Sequence, residues 1–74
     1  MISTYEKSKI EELVSLQIEH MHVQFGIRRT ETYKDNLISI YVGQVASGEC
    51  SITTIENDIN VMKNYLNGES DENQ

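Results

Sequence analysis

Cys50 and the two histidines, His20 and His22, are the side chains whose types admit nucleophilic or metal chemistry. Nucleophilic catalysis needs a nucleophile held against a base. Cys50 sits in the run Gly48-Glu49-Cys50-Ser51. The adjacent carboxylate disfavours its thiolate, while a helix starting just after it would act the other way. It reads as a partly buried loop cysteine. Glu19-His20-Met21-His22 sets two imidazoles at i, i+2. On a helix these point about 160–200° apart and cannot share one ion. On a strand they would share a face, but the run supplies two or three ligands at most. No zinc-like Cys/His spacing, H-E-x-x-H, C-x-x-C or calcium-loop pattern is present. The glycines Gly26, Gly43, Gly48 and Gly68 are scattered and form no phosphate-cradling loop. The expectation is therefore no catalytic residue, no metal, no cofactor and no enzymatic activity.

Nucleic-acid binding needs several phosphate contacts from Lys or Arg. The one basic cluster is Arg28-Arg29 with Lys34. It lies at the junction of two predicted helices, where it can also neutralise the carbonyls at a helix end. The segment Ala46-Ser47-Gly48-Glu49-Cys50-Ser51 joins two further predicted helices with the outline of a helix-turn-helix. The second of these begins Ile52-Thr53-Thr54-Ile55-Glu56-Asn57-Asp58, so Glu56 and Asp58 would face a polyanion. DNA binding through the second and third helices, with Arg28, Arg29 and Lys34 on phosphate, is the alternative reading. The charge argues against it.

The elements that must position these residues are three helices. The first runs from about Ser3 to Phe25. Ser3 and Glu6 have capping-box spacing. Ile10, Leu13, Val14, Ile18, Met21 and Phe25 share one face at about 100° per residue. Tyr5, Leu16 and Val23 make a second seam, and Gly26 stops the helix by accepting a left-handed conformation. Residues 20–28 also alternate in the manner of a strand. With no second alternating run to pair it, a lone strand would leave backbone groups unsatisfied, and helix is expected.

The second helix starts near Thr30 or Thr32, with Thr32 and Asp35 at cap spacing, and runs to Ser47 before Gly48. Tyr33, Leu37, Ile38, Ile40, Tyr41, Val42 and Val45 cover roughly 200° of it, which predicts a central helix touching more than one neighbour. Gly43 lies on its polar side, either to let another backbone approach or merely tolerated at about 1 kcal/mol. The third helix starts near Ser51 or Thr53, with Thr53 and Glu56 as a cap pair, and ends near Asn67. Ile52, Ile55, Ile59, Met62 and Leu66 form a stripe about 80° wide, with Val61 and Tyr65 outside it. Short connections make consecutive helices neighbours. The predicted fold is all-α: a three-helix bundle, built as a helical hairpin plus a third helix.

With 74 residues, one domain is expected, over 1–67. Three of the chain's acids, and no base, fall in residues 68–74, which read as a disordered acidic tail. No apolar run suits a signal peptide or a membrane span, and the single cysteine fits a reducing, cytoplasmic setting. The richness in Ile, Asn, Glu and Lys fits an AT-rich bacterial or phage gene.

A domain this short buries only about 60% of its unfolded surface. One cysteine permits no internal disulfide, so self-association is the expected supplement. The apolar seams exceed what three packed helices need, and large exposed apolar patches rarely persist on a monomer. These features predict a small acidic protein-interaction module of the regulator, inhibitor or adaptor type, homodimeric, with Leu16, Val23, Tyr41 and Val42 as partner contacts. The net charge of −6 would steer it towards a basic protein surface.

Overall fold

The structure, a computed structural model, describes residues 2–66. It contains α1 (Thr4–Phe25), α2 (Glu31–Ser47) and α3 (Ile52–Leu66) and, among the described residues, no strand. The all-α, three-helix reading is therefore correct. The proposed acidic tail, residues 68–74, lies outside the described residues.

The helix ends follow from local chemistry. The Ser3 side chain accepts from the Glu6 N–H, and the Glu6 carboxylate accepts from the Ser3 N–H at 2.9 Å, completing the capping box. Gly26 closes α1 with φ 70°, its N–H donating to the His22 carbonyl at 3.0 Å. The helix thus persists to Phe25, and the strand alternative for 20–28 fails. Gly48 ends α2 in the same left-handed region, φ 87°. Two caps fall elsewhere than the spacing suggested. Thr30, not Thr32, caps α2 by accepting from the Tyr33 N–H at 3.1 Å. Ser51, not Thr53, accepts from the Thr54 N–H at 3.2 Å at the start of α3. In both cases the S/T-x-x-D/E pattern lies inside the first turn, two residues past the real cap.

α1 and α3 run parallel. Tyr5 donates to Glu56, and two turns further along both helices Lys63 Nζ lies 3.1 Å from Glu12 Oε2. α2 returns between them in sequence, tied to α1 where Gln17 Nε2 donates to the Tyr41 hydroxyl at 3.0 Å. The bundle is up-down-up. Its fully dry core is small: Ile10, Leu13 and Val14 of α1 against Ile55 and Ile59 of α3.

One expectation is overturned. α2 is not the central helix. It buries no residue completely, and α1 is the helix that packs against both others, while α2 and α3 approach each other only marginally. Leu37, Ile38, Tyr41, Val42 and Val45 lean against the core as half-buried side chains. A wide apolar arc can arise this way, from long side chains covering a neighbour's edge, without a neighbour on either side. No helix among the described residues is long and apolar enough to cross a membrane.

Candidate functional site

The up-down-up path separates the residues singled out for chemistry. His20 and His22 belong to the last turns of α1, whereas Cys50 lies in the α2–α3 turn, at the opposite end of the bundle. No thiol–imidazole pair can form between them. The Cys50 sulfur instead approaches the Ser51 carbonyl at 3.7 Å. His22 is exposed and His20 half-buried, one helical step of i, i+2 apart, so the imidazoles diverge. Among the described residues, no group of three or more His, Cys, Asp and Glu is placed to hold a metal ion.

The basic residues gather at the α1–α2 turn. Arg28 and Arg29 join Ile18, Glu19 and His22 around an open notch of about 250 Å³ in the α1–α2 turn. The Arg29 guanidinium stacks over the Tyr33 ring at 4.6 Å. Lys34 is half-buried on α2. The α2–α3 turn of the helix-turn-helix reading is one α2 length away, about 26 Å at 1.5 Å per residue. The basic residues and the start of α3 therefore lie at opposite ends of α2.

What the structure does gather is apolar surface at the far end of α1 and α3. His20 sits with its ring 5.5 Å from Tyr65 and 6.3 Å from Phe25, the latter edge-on. Phe25 is 68% exposed and Tyr65 61%. Val23, 60% exposed, lies three residues from His20 on α1, and Val61, 50% exposed, lies one turn before Tyr65 on α3. Ile27 follows just beyond Gly26 and is also exposed. Phe25 was expected on the core face. It is exposed where α1 runs past the described part of α3: 22 residues span about 33 Å and the 15 described residues of α3 about 22 Å. Tyr65 is already level with His20, so the described part of α3 offers Phe25 nothing to pack on.

The expected partner contacts occupy two kinds of position. Val23 stands in the exposed cluster. Leu16, Tyr41 and Val42 are half-buried and pack on the core. Val42 also lines an open groove between α1 and α2, with Ile2 and Ile38. Phe25 and Tyr65 were not among the expected contacts. Unequal helix lengths were the signal that would have pointed to Phe25.

Two ion-related shifts belong to the α1–α3 seam rather than to the apolar end. Glu12 has its pKa lowered, chiefly by the hydrogen bond from Lys63, with partial desolvation opposing and the charges of Lys63 and Lys9 assisting. Tyr5 has its phenol raised, first by its hydrogen bond to Glu56, then by desolvation and the nearby carboxylates. Both groups act as clasps between helices.

Comparison with known protein families, characterised proteins and solved structures gave no significant match to this chain.

Proposed function

We propose that this chain is a non-enzymatic protein-interaction module, of the regulator, inhibitor or adaptor type, which works as a homodimer by covering a surface of another protein. The observation that carries the reading is the pair Phe25 and Tyr65 flanking His20, with Val23 and Val61 on the same two helices, every one of the four at least half exposed. Aromatic anchors of this kind supply most of the energy of protein interfaces, because they bury large area with few rotatable bonds. Tyr65 adds a hydroxyl that can serve a polar rim. The net charge of −6 favours a partner with a basic surface and speeds encounter with it at low salt.

Affinity capture from the native host tests this. The wild-type chain is compared with Phe25→Ala and Tyr65→Ala. Proteins retained by the wild type should be lost with both variants while the fold survives. Capture of the same proteins by all three, or of none by any, removes the cluster as the working surface.

A further inference from the structure

Building on the homodimeric reading above, we propose that two copies of this chain meet through the groove between α1 and α2, with Gly43 at the point of closest approach. Gly43 lies inside the 17-residue α2, where glycine weakens a helix relative to alanine. Nothing among the described residues asks for it. A Cβ built at Gly43 would meet no atom within 4 Å among the described residues, and the positive-φ glycines are Gly26 and Gly48. Glycine placed with neither a backbone nor an internal packing reason fits a position where another chain comes close.

Gly43 stands on the wall of an open groove of about 570 Å³. Ile2, Ile38 and Val42 give that groove its apolar lining, and all three are only half-buried in the single subunit. α2 buries no residue completely, so its groove side keeps apolar area that a second chain can cover. The rim explains why a second copy is the occupant. Lys7 and Glu11 of α1 and Asp35 of α2 border the groove. The ion pairs among the described residues are Lys9–Glu12 and Lys63–Glu12, so none of the three rim charges is paired with another described residue. A two-fold axis presents the same patch from both sides. A rim of one sign would repel its own copy, whereas this one lets Lys7 of each subunit face Glu11 and Asp35 of the other.

Sedimentation of the full chain over roughly 1 µM to 1 mM measures the self-association constant. Gly43→Gln should raise the thermal stability of the dilute subunit yet weaken the dimer at least about tenfold, opposite signs that a merely structural glycine would not give. Lys7→Glu alone should dissociate the dimer, as should Glu11→Lys combined with Asp35→Lys. An equimolar mixture of the two charge variants should restore a heterodimer. A wild-type dimer indifferent to these changes overturns the groove and leaves the homodimer on another face. A wild-type chain monomeric throughout overturns both. Groove variants that alter only the binding of a different protein assign the groove to that partner instead.

Discussion

Phe25→Ala separates a surface cluster from a structural one. Phe25 is 68% exposed, so folding removes about a third of its roughly 200 Å² from water. At about 25 cal/mol per Å² that is about 1.6 kcal/mol, an upper value since unfolded chains are themselves partly collapsed. Leu13 has no exposure at all. Leu13→Ala loses the transfer energy of the side chain and leaves a cavity, about 3–4 kcal/mol in a core that cannot fully relax. A domain of this length has roughly 3–10 kcal/mol of total stability. Leu13→Ala should therefore bring the chain close to unfolding, while Phe25→Ala should leave it folded. Urea unfolding followed by far-UV circular dichroism measures both, provided the denaturant slope is unchanged. The exposed remainder of Phe25, about 135 Å², is worth about 3 kcal/mol to a partner that covers it. If Phe25→Ala destabilises the isolated chain as much as Leu13→Ala, the aromatic end holds the fold together and the reasoning fails.

Two further outcomes are expected. The lowered pKa of Glu12 means the folded state favours its ionised form, so this contribution is present above the ordinary carboxylate range and disappears as pH falls through the folded-state value. Glu12 and Lys63 are 35% and 52% exposed, so Lys63→Ala should cost only about 0.5 kcal/mol near neutrality and nothing in acid; a pH-independent difference in the urea midpoint would show that the pair is not electrostatic. Ser3→Ala should cost about 1 kcal/mol by removing the capping box, and Gly48→Ala about as much by forcing a side chain into φ 87°; thermal melts that leave either variant at the wild-type midpoint would refute those assignments.

Much of this architecture could be read from short-range chemistry. Ser3 with Glu6, Gly26 and Gly48 mark helix ends through hydrogen bonds and backbone angles that involve only their neighbours. The stripe Ile55–Ile59 announces a face because it repeats at helical spacing. The order of packing could not be read the same way. The breadth of apolar residues on α2 says how much of its surface prefers to leave water, not which neighbour receives it, and α1 took the central place because its face contacts both partners along its greater length. The site followed the same rule. Val23 was recognisable as surplus to the core stripe. Phe25 shares that stripe and is exposed because the described part of α3 ends short of it, which is a relation between two helices and not a property of either.

The parallel pairing of α1 with α3 has a consequence for how the chain acquires its shape. Its dry interior is stitched between residues some forty or more positions apart, Ile10 with Leu13 and Val14 on one side and Ile55 with Ile59 on the other. The neighbouring α1–α2 hairpin is cheap in closure entropy but encloses no completely dry side chain of α2. The rewarding contacts thus come only after both halves of the chain have been brought together, so helix formation should run ahead of consolidation and the last helix should act as the latch. A chain severed in the α2–α3 turn would keep two helices' worth of sequence and lose the means to hold them.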